Sequence, residues 1–247
     1  MANFRPLKRY LLFTIDALAG RHRLQGPFLD LGCGSGDVSL HFARKGWRGV
    51  AVDPSAVSVR GARRLLEAHS PHISVEQGDA TTVTGQYSTI FLCDVLEHLA
   101  DDRWLLQHLR TLLLPGGAVV IAVPVYAAEW RWDDDFYGHL RRYEPSQINA
   151  LLLENGFEVL ENWDFTFPFL WLIRRIYTRV LPAKSLNSHE TDLDRTLRSA
   201  AQSAWDHARW LTWAAEKLVW WRALFAIQSC FRNKPYGCER VVLAVRK

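Results

Sequence analysis

The stretch Leu29-Asp30-Leu31-Gly32-Cys33-Gly34-Ser35-Gly36-Asp37 decides the fold. An apolar run, Pro27–Leu31, leads into it and a helical pattern over Val38–Lys45 leads out, so the glycines lie on a strand-to-helix turn. Glycine there permits a tight turn and lets the backbone approach a ligand closely. A second strand, Arg48–Val52, delivers Asp53 nineteen residues after Gly34. A carboxylate at that offset can accept hydrogen bonds from both hydroxyls of an adenosine ribose. The glycines fall as GxGxG with Asp30 two residues before the first, which differs from the GxGxxG spacing of dinucleotide folds.

Outward from this turn the alternation continues. A helix is expected over Ala56–Ala68, strands at Ile73–Glu76 and Thr89–Cys93, a helix over Arg103–Leu113 running to Pro115-Gly116-Gly117, and a fifth strand at Ala118–Val123. Strands separated by helices of this length predict a parallel sheet covered on both faces. Pro145–Asn155 reads as a helix with proline in its first turn and Gly156 just past its end. Phe157–Phe167 alternates as a sixth strand, and the valine-rich Arg240–Arg246 reads as a seventh. Between them, residues 168–237 are too many for a hairpin loop and much of the segment is helical in pattern. The organisation expected is an N-terminal helical segment (1–26), a core (27–167 and 238–247) and a helical cap inserted at 168–237.

Composition narrows the class. A chain of 247 residues, 49% hydrophobic and 23% charged, is long enough for a substantial core and has no low-complexity tract. Only Thr111–Ala128 reaches 18 residues without charge, and no membrane-spanning helix is expected; Asp16 follows the apolar Leu11–Ile15, which argues against a secretory signal. Cys33, Cys93, Cys230 and Cys238 have neither metal-type nor framework spacing, and read as reduced thiols of a cytoplasmic protein. The insert carries 11 Lys and Arg against 5 Asp and Glu, a balance of +6 within a chain of net +4, so the basic character is local.

Residues 28–124 resemble the class I S-adenosylmethionine-dependent methyltransferases. The resemblance rests on the acidic GxGxG loop, Asp53, Gly78-Asp79-Ala80, the strand ending Cys93-Asp94-Val95-Leu96-Glu97-His98, and Leu114-Pro115-Gly116-Gly117. It implies a Rossmann-like, mostly parallel seven-stranded α/β sheet with an antiparallel last strand. It also implies S-adenosylmethionine as cofactor: the loop of Asp30, Gly32, Cys33, Gly34 and Gly36 beside the methionine part, Asp53 and Pro54 at the ribose, Asp79 and Ala80 at the adenine, and Asp94 nearby.

Methyl transfer from a sulfonium rests largely on alignment of the nucleophile, and needs a base only where a hydroxyl or phenol must lose its proton. Residues 93–96 read Cys-Asp-Val-Leu and lack the Asn/Asp-Pro-Pro-aromatic signature of enzymes acting on base amines. An RNA substrate, which predicts salt-sensitive RNA binding, and a non-catalytic cofactor-binding subunit stay as alternatives to a small-molecule enzyme. The Asp94–His98 stretch resembles the small-molecule branch, including quinone-biosynthesis O-methyltransferases. After the fifth strand, Trp130, Tyr137, His139, Arg141, Arg142 and Tyr143 lie where ligands bind in such sheets. His139 is the first candidate for a general base and His98 the second, because imidazole titrates near neutrality. His139 could equally fix the loop. Arg141 or Arg142 could hold a carboxylate or phosphate, or pair with Asp133–Asp135. Glu97, His98 and the three aspartates show no tightly spaced ligand set, and no metal is assigned.

Six of eleven tryptophans, Trp171, Trp205, Trp210, Trp213, Trp220 and Trp221, fall in the insert, with Arg174-Arg175 after its first apolar run. Ser203–Phe231 reads as one long apolar helix or two in series, and Pro182–Thr196 as a polar lid or linker. Aromatic surface rimmed by basic residues suits peripheral contact with an anionic membrane, a pocket for an isoprenoid or acyl chain, packing onto the sheet, or a homodimer interface.

Overall fold

The computed structural model describes residues 6–69, 71–180 and 221–247. In chain order these form α1 (Pro6–Arg21), β1 (Phe28–Leu31), α2 (Asp37–Ala43), β2 (Gly49–Asp53), α3 (Ala56–Leu66), β3 (Ile73–Gln77), β4 (Tyr87–Cys93), α4 (Asp102–Leu112), β5 (Leu113–Pro124), α5 (Trp132–Tyr137), α6 (Pro145–Glu154), β6 (Phe157–Asp164), α7 (Phe169–Val180), α8 (Trp221–Ser229) and β7 (Glu239–Arg246). The sheet order is β3-β2-β1-β4-β5-β7-β6. β1 to β5 are parallel, and β7 runs antiparallel to both β5 and β6, which agrees with the fold expected. The order reverses between β1 and β4, and a ligand crevice opens at the carboxyl ends of strands at such a point.

The period-2 alternation of strand side chains splits the interior into two cores. Phe28, Phe91, Val120, Ala122, Val241 and Leu243 face one side, where α1, α2 and α8 add Tyr10, Ile15, Phe42 and Phe225. Leu29, Ile90, Leu92, Ile121, Val242 and Ala244 face the other, covered by Leu105, Leu106 and Leu109 of α4 and by Ile148 and Leu152 of α6. α1 is thus part of the core: Tyr10 is fully buried and its hydroxyl donates to Phe225 O at 3.1 Å.

Most boundaries fall within two residues of expectation, and the departures have local causes. β6 stops at Asp164, three residues short of Phe167, because the Asp164 carboxylate captures the N–H groups of Thr166 (2.9 Å) and Phe167 (2.8 Å) and turns the chain. β5 begins at Leu113, five residues early. Leu113 pairs with Tyr87 before the Pro-Gly-Gly turn, and the register then jumps to Thr89 opposite Ala118. The helix over Ala56–Ala68 ends at Leu66 in a 3-10 turn, Glu67–His69. Of the insert, α7, α8 and residues 230–237 are described; Trp205, Trp210, Trp213, Trp220, the stretch Pro182–Thr196 and most of Ser203–Phe231 lie outside the described residues. Among the described residues, no helix is long and apolar enough to cross a membrane.

Candidate active site

The glycine loop leaves β1 with Gly32, Gly34 and Gly36 all at positive φ, a region closed to most side chains. Gly32 is also hemmed in: a Cβ there would stand 2.3 Å from Val95 Cγ2, on the turn that follows β4. Asp30 points back into the loop, where one carboxylate oxygen accepts from Ser39 N (3.1 Å) and Ser39 Oγ (2.6 Å) and pins the first turn of α2. Burial pushes the Asp30 carboxyl up to about 6 despite these donors. Asp53, at the end of β2, accepts from Gly34 N at 2.8 Å through Oδ2 and from Ser55 N at 2.9 Å through Oδ1. Each oxygen keeps a lone pair for a further donor. The strand end and the loop are therefore one braced unit.

The neighbouring loops complete this end. Pro54 O accepts from Gln77 Nε2 at 3.2 Å. Asp79 accepts from Thr81 N (2.8 Å) and Thr81 Oγ1 (2.5 Å), which holds its carboxyl below the usual range, and Ala80 O meets His108 Nε2 at 2.7 Å. Asp94 turns the chain after β4 at φ 58°. Its carboxylate lies 3.9 Å from Lys8 Nζ of α1, a residue that sequence reasoning passed over. Burial alone would lower the Lys8 ammonium, but Asp94, with Cys93, Asp37 and Asp30 behind it, holds it above its ordinary value. Cys33 and Cys93 are buried and their thiols pushed far up, so neither is a nucleophile.

The second half of the site is the loop after β5 and the helix α7 packed over it. Asp134 is its hub. It accepts from Arg131 N (2.8 Å), His139 Nδ1 (2.8 Å), Arg142 Nε (2.9 Å) and Arg174 Nη2 (2.8 Å). These partners outweigh the cost of its burial and hold the carboxyl well below the carboxylate range. Arg174 also forks onto Asp133, and Arg175 pairs with Glu129. Of the two arginines considered for substrate, Arg142 is buried on Asp134, Val125 O and Cys238 O. Arg141 binds Asp102 Oδ2 at 2.9 Å, and the Tyr143 hydroxyl donates to the same oxygen at 2.9 Å. The geometry thus gives all three structural partners, with Asp102 taking the pairing expected of Asp133–Asp135 at Arg141. Trp130 is exposed, its indole N–H donating to Asp135 Oδ1 at 3.1 Å. Tyr137 and His139 line a cavity together with Leu7, Asp133, Arg174 and Glu239.

Folding also brings together residues that sequence spacing kept apart. Glu97 is fully buried, and neither carboxylate oxygen has a hydrogen-bond partner among the described residues. His98 Nε2 and His139 Nε2 each lie 3.9 Å from Glu97 Oε1. The three aspartates read beside Glu97 and His98 in the sequence stand apart from them; His139 joins them instead, and polar atoms of Glu97, His98 and His139 all lie within 4.8 Å of one another. Burial drives the Glu97 carboxyl well above its ordinary range and, with the nearby His139, lowers the His98 imidazole to about 4.

Comparison with known proteins agrees with this geometry. The profile of the methyltransferase-domain family matches residues 2–162. A ubiquinone biosynthesis O-methyltransferase of Nitrobacter winogradskyi is 32% identical over 135 residues, covering 48% of this chain and 49% of that protein. The chain spans about half the length of the curated relatives it matches first. Among solved structures, the cyclase SpnF superposes with TM-score 0.58 at 19% identity, over 96% of this chain and 81% of that one. Magnesium protoporphyrin IX methyltransferase from Synechocystis PCC 6803, with bound SAH, gives 0.56 at 14% identity, over 98% and 84%. At such identities these two show the fold alone. The family profile, which spans most of the chain and both halves of the site up to β6, settles the affiliation: this chain belongs to the methyltransferase-domain family and has the class I S-adenosylmethionine-dependent methyltransferase architecture.

Proposed function

We propose that this protein transfers a methyl group from S-adenosylmethionine to a hydroxyl, amine or carbon of a small molecule. The observation that carries the reading is the brace between Gly34 N and Asp53 Oδ2, which sets a ribose-binding carboxylate against a glycine loop at the switch point of the sheet. Gly32, Cys33, Gly34 and Gly36 cradle the methionine part, Asp53 and Pro54 hold the ribose, and Asp79 and Ala80 flank the adenine. Lys8 and Asp94 offer one charge each to the zwitterionic amino-acid end.

The acceptor enters the cavity beside Tyr137 and His139. With Nδ1–H donated to Asp134, the neutral form of the His139 imidazole carries its lone pair on Nε2, the atom that can take a proton from a hydroxyl or phenol. His98 points its Nδ1 at Gly138 O (3.1 Å), which leaves its Nε2 in the same state. Similarity to quinone-pathway O-methyltransferases favours a phenolic acceptor, and a lipid-linked one gives the aromatic insert a purpose. Four unpaired cysteines accord with a cytoplasmic site of action, with peripheral membrane contact or a homodimer formed through residues 168–237.

The test is incubation with methyl-labelled cofactor and a cell extract, with Asp53→Ala as control. Label in organic-phase or aqueous small molecules supports the reading. Label only in RNA, or none with cofactor bound, overturns it in favour of an RNA methyltransferase or a non-catalytic subunit.

A further inference from the structure

The cavity beside Tyr137 and His139 contains a carboxyl group with no role so far. Glu239 opens β7, paired opposite Pro124 at the end of β5, and lines the cavity with Leu7, Leu170, Ile173 and Tyr177. Leu7 precedes Lys8, which reaches Asp94, so this carboxyl lies where the cavity meets the glycine-loop end. Glu239 Oε2 is buried and has no hydrogen-bond partner among the described residues. A polar atom left in that state is costly, and in a cavity wall a ligand can supply the missing partner. The other charged groups of the cavity are committed. Arg142 and Arg174 are matched by Asp134 and Asp133. His139 donates from Nδ1 to Asp134 and turns Nε2 toward Glu97 Oε1, 3.9 Å away, with the His98 ring edge-on at 5.0 Å.

We propose that Glu239 is a catalytic residue of methyl transfer to a hydroxyl, with its Oε2 as the atom that takes the acceptor's proton. The proposal deepens the function given above and rests on its acceptor site. In the step, Glu239 removes the hydroxyl proton as that oxygen bonds to the methyl carbon. The methyl–sulfur bond breaks and leaves its electron pair on sulfur. The products are a methyl ether, a thioether and a protonated Glu239, which returns the proton to water. The electrostatics suit this role. Burial, then Asp94, pushes the Glu239 carboxyl up to about 8 against the pull of Arg142 and Arg174, with Asp134 and Glu97 adding to the push. A carboxyl in that range holds a proton well and is still partly ionised near neutrality, as proton transfer at working pH requires. Its mount is a sheet strand, a more precise support than the loop that carries His139. In this assignment His139 fixes that loop through Asp134.

The experiment measures label transfer from methyl-labelled cofactor by the full chain to two probes, phenol and 4-nitrophenol. At about pH 8 phenol keeps its proton, whereas 4-nitrophenol is largely ionised in water and needs no proton acceptor. Glu239→Gln should lower kcat on phenol about 100-fold or more and on 4-nitrophenol only a few-fold, with cofactor affinity unchanged by calorimetry. Glu239→Asp, which keeps the carboxylate, should regain part of the rate on phenol. Equal losses on both probes overturn the proposal and make Glu239 a positioning residue. An unchanged rate on phenol overturns it too and leaves the proton to His139. Should the wild type methylate neither phenol, carbon-13 NMR of the chain labelled in its glutamate carboxyls decides. A resonance lost in Glu239→Asp that titrates near 8 supports the proposal, and one that titrates in the ordinary range, about 4, overturns it. Failure of the two readings is separable: label entering no small molecule of the extract strikes the function itself, and a variant as active as the wild type strikes Glu239 alone.

Discussion

The two halves of the site are built on different plans. At the glycine-loop end most partners are close in sequence, with Lys8 and Asp94 the exception: Asp30 with Ser39, Asp53 with Gly34 and Ser55, Asp79 with Thr81. Backbone N–H groups do much of the work, and the shape follows from glycine torsions. On the acceptor side, side chains from distant segments meet: Arg174 with Asp133 and Asp134 across forty and more residues, Arg142 with Cys238 across 96, His139 with Glu97 across the turn after β4. A cofactor common to a large family can be met by local turn chemistry. An acceptor site assembled through long-range ion pairs can change its outline when one insert helix changes.

That contrast can be broken by experiment. The largest effect is expected at Asp134. Asp134→Ala strands the buried guanidinium of Arg142 and takes a carboxylate from Arg174 and His139, and should cost about 3–5 kcal/mol in urea denaturation. Cofactor affinity in the folded fraction should stay within a few-fold, and a collapse of that affinity would show that the two halves are one unit. Next is Asp53→Ala. Loss of two charge-assisted hydrogen bonds, about 1.5–3 kcal/mol each, should raise the cofactor Kd roughly 100-fold or more. Unchanged affinity by calorimetry would move the ribose elsewhere.

Acid–base behaviour sharpens the comparison, because Asp134 and Asp30 respond with opposite sign. The folded-state pKa of Asp134 is depressed, so its contribution is present above its unfolded value, about 3.9, and is lost as pH falls through the folded one. Asp30 is raised to about 6, so its contribution is full below about 3.9 and is lost as pH rises through about 6. Asp30→Asn should flatten the decline in stability between pH 4 and 6, and an unaltered profile would assign that decline to another acid. The smallest effect belongs to Lys8→Ala. An ion pair at a partly exposed site is worth about 1 kcal/mol or less, so cofactor affinity should fall only a few-fold, and less at high salt.

The same contrast explains what could be read from the chain. β1 to β5, the glycine loop and Asp53 were legible because period-2 and period-3.6 patterning, turn residues and a fixed offset are written locally. Even there, β5 starts five residues before its expected place, and beyond it the end of β6 falls three residues short, since the Asp164 turn gives no break in hydrophobicity. The role of Lys8 was not legible, and of Asp134 only the pairing with Arg142 was. Lys8 resembles any helix lysine until α1 is docked, and Asp133-Asp134-Asp135 resembles a solvated acidic run until Arg174 arrives. Arg-Arg after an apolar run was the available signal, because charge placed beside buried aromatics needs a partner. The approach of His139 to Glu97 and His98 was not legible either, because it joins segments forty residues apart.

The contact between Gly32 and Val95 has a genetic corollary. Two separate constraints keep residue 32 a glycine: a left-handed torsion and the bulk of a neighbour sixty-three positions away. Shortening Val95 to alanine relieves the second and leaves the first. A chain carrying Gly32→Ala should therefore gain only partial revertants at position 95, and full revertants only at position 32 itself.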